Sequence, residues 1–230
     1  MKRTVEWRKS GRTIAIVIIV VFVCGFFSWS INRIFTIRNI EVSGEGIHVE
    51  VEENSFPKNL LFFPVDTLTA QILKNYPLVG SVKLQKKYPG TLVITAVPRE
   101  PFAVAGVGGE MYLLDNVGVV LEQYPTNIGL PAIHIAMPKA QAGITISDPA
   151  ISAAIIFLRE TASFATISDI ITFDSSALRA QTESMSIVFA QQSDIPVITR
   201  TLQMMISGFR IKGKLPATID LRFDKPVVTF

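Results

Sequence analysis

Residues 82–97 read VKLQKKYPGTLVITAV. Val82 and Leu84 alternate with Lys83 and Gln85, the period of two that a half-buried strand shows. Lys86-Lys87-Tyr88-Pro89-Gly90 breaks that period with turn residues, and Leu92 to Val97 resumes as a strongly β-prone run. Two strands joined by a short turn are predicted. Upstream, Val65 to Tyr76 places Leu68, Ile72 and Leu73 on one helical face. Asp66 is available there as a cap, and Pro77 ends the helix. Further back, Phe35 to Val42 reads FTIRNIEV, a short apolar-rich strand closed by Ser43-Gly44. Residues 44–59 are polar, acidic and irregular, which predicts a loop. Strand, helix, strand, strand over residues 35–100 makes a small α+β module.

Just before this module lies TIAIVIIVVFVCGFFSWSI, Thr13 to Ile31, with no charged residue. These nineteen residues, at about 1.5 Å each, span roughly 28 Å, close to a bilayer's hydrocarbon core. Lys2, Arg3, Arg8, Lys9 and Arg12 precede the run against one acid, Glu6. The positive-inside bias then places residues 1–12 in the cytoplasm and everything after the span outside it. Trp29, and Trp7 on the near side, suit the aromatic belts. A cleaved signal peptide needs small residues at its cleavage site, and Phe26-Phe27-Ser28-Trp29-Ser30 offers no such pattern. A buried core helix seldom carries so basic and isolated a preface. An uncleaved transmembrane helix over 13–31 is expected.

Of the 230 residues, roughly 197 follow Arg33, enough for one large domain or two small ones. The net charge of +3 is modest and gathers near the N-terminus, so no nucleic-acid surface is expected. The single cysteine, Cys24, lies inside the apolar run, which leaves the exported part without a disulfide framework or a thiol nucleophile.

Pro98 and Pro101 punctuate a boundary, and residues 101–230 read differently. Met111 to Leu114 and Val117 to Leu121 flank Asp115-Asn116, a hairpin signal. Leu130 to Met137 is a short strand candidate. Asp148-Pro149 opens a helix as cap and first residue, with Ile151, Ile155 and Leu158 as its buried stripe. Ile167 to Phe173, Leu178 to Thr182 and Ser184 to Phe189 suggest successive strands. A last helix runs near Pro196 to Phe209, with Leu202, Met205, Ile206 and Phe209 inward. Ala217 to Asp224 then alternates, with Ile219, Leu221 and Phe223 opposite Asp220, Arg222 and Asp224. The expected class is α+β: one membrane helix, a small α/β module, then a larger mixed domain with a mostly antiparallel sheet and two helices.

Catalytic patterns are missing. There is no Ser-x-x-Lys, Gly-x-Ser-x-Gly, His-Glu-x-x-His or phosphate loop. His48 stands in the acidic loop near Glu45, Glu50, Glu52 and Glu53, where a metal is conceivable but a solvated loop is far commoner. His134 sits in an alternating apolar run as a strand residue. Gly106 to Gly109 is read as a hairpin or loop. Asp115, between two strands, is explained by turn chemistry. No catalytic residue, cofactor, metal or small-molecule substrate is expected, and a non-enzymatic role is favoured.

The pieces fall into a familiar order. Phe35-x-Ile37-x-x-Ile40-x-Val42-x-Gly44 follows the span, then the helix, Tyr76-Pro77-x-Val79, Val82-x-Leu84, Tyr88-Pro89-Gly90-Thr91-Leu92-x-Ile94 and Arg99-x-Pro101-x-Ala103. This series resembles the POTRA module of the FtsQ/DivIB cell-division family. Leu113-x-Asp115-x-x-Gly118-x-Val120 and Leu130-Pro131 resemble the start of that family's β domain, and Leu202 with Ile219-Asp220-Leu221-Arg222-Phe223 its end. Two departures are Pro98-Arg99, where the family usually has Glu-Arg, and Lys225-Pro226, which interrupts the closing strand.

The resemblance implies a POTRA-like domain over 35–100 and an FtsQ-type β domain over 101–230. It implies a single-pass protein of the inner membrane, N-terminus cytoplasmic, found at the division septum. Its role is that of a scaffold linking early and late division components to septal peptidoglycan synthesis, without a cofactor. Its implied partners are FtsB-like and FtsL-like single-span proteins, with other divisome components as further candidates, besides the lipid bilayer. The candidate docking strand comprises Leu221, Arg222, Phe223, Asp224, Val227 and Val228. An edge strand offers unpaired backbone groups to a partner, Arg222 faces an acidic partner side chain, and Phe223 or Val227 packs against apolar ones. Alternatives are a POTRA-containing outer-membrane assembly or secretion factor, which normally continues into a long barrel, and a membrane-tethered envelope enzyme.

Overall fold

The computed structural model describes residues 3–44 (3–13 as backbone only), 56–107, 110–123, 129–135 and 141–230. The acidic loop with His48, and the expected strand end at Met137, lie outside these residues. The chain divides into two compact units, residues 1–75 with 81–98, and residues 76–80 with 99–230.

In the first unit, helix α1 runs from Arg3 to Ile34. Ile14–Ile34 is long and apolar enough to cross a bilayer, and none of it is buried. The helix outlasts the apolar run by one turn because Asn32, Arg33 and Ile34 carry no breaker. Strand β1 is Asn39–Gly44, shifted later than expected, since Thr36 makes only an isolated bridge to Asn59. Helix α2 (Val65–Asn75) buries Leu68 and Ile72, with Asp66 inside its first turn rather than capping it. Strands β2 (Val79–Lys87) and β3 (Thr91–Pro98) flank the Tyr88-Pro89-Gly90 turn, in which the Tyr88–Pro89 peptide is cis. The sheet order is β1-β3-β2, with β1 parallel to β3 from Asn39 beside Thr91 to Gly44 beside Ala96. Leu92, Ile94 and Ala96 alternate inward from β3 onto Leu60, Phe63, Leu68 and Ile72, forming this unit's core.

The second unit is built on one nine-stranded sheet. Its strands are β4 (Ala103–Val107), β5 (Glu110–Leu114), β6 (Val120–Gln123), β7 (Ala132–His134), β8 (Asp169–Thr172), β9 (Ala177–Gln181), β10 (Ser186–Ala190), β11 (Thr218–Asp220) and β12 (Val227–Thr229). In space they run β12-β11-β10-β9-β8-β7-β4-β5-β6. The pairs β4/β7, β7/β8 and β10/β11 are parallel and the other five antiparallel, so the sheet is mostly antiparallel as expected. Strand β4 was not foreseen, because its AVAGV sequence is too small and glycine-bearing to announce a strand.

Helices α3 (Pro149–Thr161) and α4 (Ile195–Ile211) share one core with this sheet. Asp148 caps α3, accepting from the Ala150 and Ile151 amides at 2.9 and 3.1 Å. Register builds the core. One row crosses the sheet as Ala105, Ile133, Ile170, Ala180, Ile187 and Ile219, all fully buried. Two residues on from Ile187, Phe189 stacks on Phe157 of α3 with ring centroids 4.1 Å apart. The adjacent row, His134, Ile171, Arg179, Val188, Asp220 and Val227, faces away from the helices.

Candidate partner-docking edge

The last strand of the chain forms one edge of the nine-stranded sheet. The closing alternation does not continue as one strand. Pairing with β10 ends at Asp220, Leu221 donates its amide to the Val188 carbonyl at 2.8 Å, and residues 221–226 turn back so that β12 lies antiparallel on β11. Pro226 stands immediately before β12, where its missing N–H costs the ladder nothing. The outer side of β12 has no strand beside it among the described residues.

The candidate residues separate by face. Leu221 is buried and belongs to the core. Val228 pairs with buried Ile219 and shares its side of the sheet. Val227 and Phe223 are 53% and 56% exposed, and Asp224 is also exposed. These three and the β12 backbone are the exposed part of the candidate edge.

Arg222 is engaged within the chain. Its Nε donates to both Asp220 oxygens at 3.0 and 3.1 Å, its Nη2 to Asp220 Oδ2 at 2.7 Å, and its Nη1 to Asp174 Oδ2 at 3.0 Å. Asp220 also accepts from the Arg222 amide at 3.0 Å. The guanidinium carbon lies 4.8 Å from the Phe173 ring centroid and 5.5 Å from that of Phe223. Arg179 joins the same ring, its guanidinium carbon 4.4 Å from the Phe173 centroid, while its solvent-shielded Nε has no hydrogen-bond partner among the described residues. The side-chain hydrogen bonds from Arg222 hold the Asp220 carboxyl below the usual carboxylate range. Asp174 is lowered chiefly by the Ser176 amide and hydroxyl, with Arg222 adding to it. Asp220, in turn, pushes Arg222 up. Two carboxylates thus neutralise Arg222 internally, and its charge serves to fix the shape of the loop.

Sequence reasoning missed Phe173, Asp174 and Arg179. They lie 43 to 49 residues upstream of Arg222 in the chain, and the β8-β9-β10-β11 order brings them beside it. Beyond this loop, an open groove runs between the first turns of α4 and residues 221–226, lined by Val197, Ile198, Leu221 and Phe223 among others.

At the opposite end of the sheet, Asp115 is confined to a turn. It is buried and accepts from the Val117 and Val119 amides at 3.0 and 2.7 Å and from Arg99 Nη1 at 2.6 Å. Arg99 Nε also donates to the Pro77 carbonyl at 2.7 Å. Among the described residues no three His, Cys, Asp or Glu side chains gather as a metal-binding group.

No protein-family profile matches the chain. Two curated proteins do. A protein named Cell division protein FtsQ from Mycobacteroides abscessus is 29% identical over 133 residues, 56% of this chain and 41% of the relative. A protein of the same name from Bartonella bacilliformis is 28% identical over 103 residues, 42% of this chain and 33% of the relative. The matched regions thus span well under half of either relative's length. Both matches support an FtsQ/DivIB-like family, in line with the ordered motifs read from the sequence.

Proposed function

We propose that this chain is a bitopic scaffold of the bacterial division machinery. Its N-terminus is cytoplasmic, its two folded units lie outside the cytoplasm, and it gathers at the septum. It carries no catalysis of its own and acts by holding other division proteins, among them FtsB-like and FtsL-like single-span partners. In this reading the first unit is the POTRA-like domain and the second the FtsQ-type β domain.

The observation that supports this reading best is the β12 edge, an end strand bordered by exposed Val227 and Phe223 and braced by the Arg222 loop. A partner segment that adds one strand gains ladder hydrogen bonds from the β12 backbone and apolar contact from Val227 and Phe223. Val227–Thr229 is short, so the pairing is brief and side chains beside the strand contribute the rest.

Phe230 refines how this is tested. Its ring meets Phe209 of α4 edge-on at 5.8 Å, and Lys214 Nζ lies 4.5 Å above it. Deleting Lys225–Phe230 therefore removes structural packing along with the edge, and surface substitutions are the cleaner probe. Full-length protein carrying Val227→Glu with Phe223→Ser should keep its thermal transition and lose binding to an FtsB-like partner. In cells depleted of the native protein, a fluorescent fusion of the unaltered chain should gather at midcell and prevent filamentation. Normal division on depletion, with defective outer-envelope assembly, would favour an assembly factor instead.

A further inference from the structure

The end of α1 is tied to the first unit with no free linker. Ile31 ends the apolar run, and Asn32 follows it about 1.5 Å further along the axis. Asn59 Nδ2 donates to Asn32 Oδ1 at 3.0 Å, and Thr36 Oγ1 donates to the Asn32 carbonyl at 2.6 Å. The Leu60 amide donates to the Phe35 carbonyl and the Ile37 amide to the Lys58 carbonyl, both at 2.7 Å. The Tyr88 ring stands edge-on to Phe35 at 5.7 Å. If α1 spans a bilayer, these bonds set the depth of the residues they hold. The headgroup layer on each side is about 5–7 Å thick. Asn59, bonded to the first residue beyond the apolar run, falls within it. Leu61 and Phe62 are two and three residues further on, and so reach no more than about 10 Å from Asn59.

Those neighbours have the wrong surface for water. Phe62 is 70% exposed, Tyr88 53%, Ile34 51% and Leu61 39%. The unit's own core, built on Leu60 and Phe63, does not use them. The three chain segments that meet here carry charge of one sign. Segments 33–38, 56–63 and 86–91 contain Arg33, Arg38, Lys58, Lys86 and Lys87 and no acid. None of the five cations forms an ion pair among the described residues. Lys86 Nζ donates to the Leu61 carbonyl at 3.1 Å, which holds its charge beside the apolar tip.

We propose that this end of the first unit is a lipid-binding surface seated in the outer headgroup layer. Phe62, Leu61 and Tyr88 enter the interface, and Lys58, Lys86, Lys87 and Arg38 meet anionic phospholipid headgroups. Apolar side chains ringed by cations are how a peripheral surface holds an anionic bilayer. The continuity of the patch with α1 selects lipid over a soluble partner as its occupant. The proposal rests on reading α1 as a membrane span. It adds that the first unit is held flat against the membrane instead of swinging from a tether.

The test uses full-length protein with Cys24→Ser, reconstituted in vesicles with and without phosphatidylglycerol in a phosphatidylcholine background. Spin labels are placed singly at Val20→Cys, Phe62→Cys and Lys74→Cys, the last on the exposed side of α2. Power-saturation measurements with oxygen and a water-soluble nickel chelate report depth. The expected order is Val20 deepest, Phe62 at the interface with several-fold less nickel accessibility than Lys74, and Lys74 in water. Exchanging Lys58, Lys86 and Lys87 together for Gln, or omitting phosphatidylglycerol, should move the Phe62 label outward. If Val20 is deep while Phe62 is as nickel-accessible as Lys74, the lipid surface is refuted and the span stands. If Val20 itself is in water, the span reading falls and the proposal with it. A Phe62 depth unaffected by lipid charge would overturn the assignment to anionic headgroups.

Discussion

Arg222 clamps Asp220 through Nε and Nη2, the shorter contact being 2.7 Å, while Nη1 reaches Asp174 at 3.0 Å. Because one guanidinium serves two carboxylates, the loop before β12 is shaped by chemistry inside the chain. Arg222→Ala and Asp220→Ala should therefore weaken partner binding by similar factors, both acting through the loop. Each should also lower the thermal transition, since each removes the same set of hydrogen bonds. Calorimetric titration against an FtsB-like peptide separates the cases. A much larger loss for Arg222→Ala than for Asp220→Ala would mean that Arg222 meets an acidic partner directly.

The same clamp sets a pH dependence. Arg222 hydrogen bonds lower Asp220, and Ser176 does the same for Asp174. Groups depressed in the folded state contribute fully above the ordinary carboxylate range and lose that contribution as pH falls through the depressed values. The melting difference between the native protein and Asp220→Asn should stay constant from neutral pH down to about 5 and shrink only below about 4. A difference that already shrinks between pH 7 and 6 would contradict this account. The rise in Arg222 acts only at strongly alkaline pH.

Two glycines sit where a side chain has no room. A Cβ on Gly90 would stand 2.6 Å from the Thr36 carbonyl oxygen, where backbone must move. Gly118 has φ +87°, and its Cβ would meet Ile155 Cδ1 at 3.2 Å. Gly90→Ala should destabilise the first unit by about 1–3 kcal/mol. Gly118→Ala should cost the second unit about 1–2 kcal/mol. Hydrogen exchange resolved by segment should show each loss in its own unit.

Arg99 and Asp115 form a further pair to break. Asp115 is buried, and losing Arg99 leaves its carboxylate, among the described residues, with the two turn amides. Arg99→Ala should cost about 3 kcal/mol, and Arg99→Lys should recover only part because lysine cannot serve both the Pro77 carbonyl and Asp115 with one fixed fork. A double-mutant cycle with Asp115→Asn, read by denaturant unfolding, should give a coupling of at least about 1 kcal/mol.

The elements most legible in the sequence were those whose local signals agree with their burial. The Asp148-Pro149 start of α3 is capped as its residues specify, and Leu202 and Ile206 of α4 turn inward as their spacing requires. Leu92 and Ile94 alternate into the first core. Where signals were weak or shared, register decided. Strand β4 has little intrinsic β preference and exists because β5 and β7 flank it. The closing alternation ran past Asp220 in the sequence, yet the strand stops there because the Arg222–Asp220 clamp and Pro226 turn the backbone.

The sequence by itself determined an apolar helix long enough for a bilayer, a small α+β module, a mostly antiparallel second sheet and the order of the family-like motifs. These depend on side-chain period, composition and turn residues, which are local quantities. Only the tertiary structure decided that Arg222 is neutralised by Asp220 and Asp174, that Val227 and Phe223 are the exposed side of the last hairpin, and that Asn59 is bonded to the end of α1. Each of these joins residues distant in the chain or separates neighbours onto opposite faces, and strand order and register fix both only once the sheet has formed.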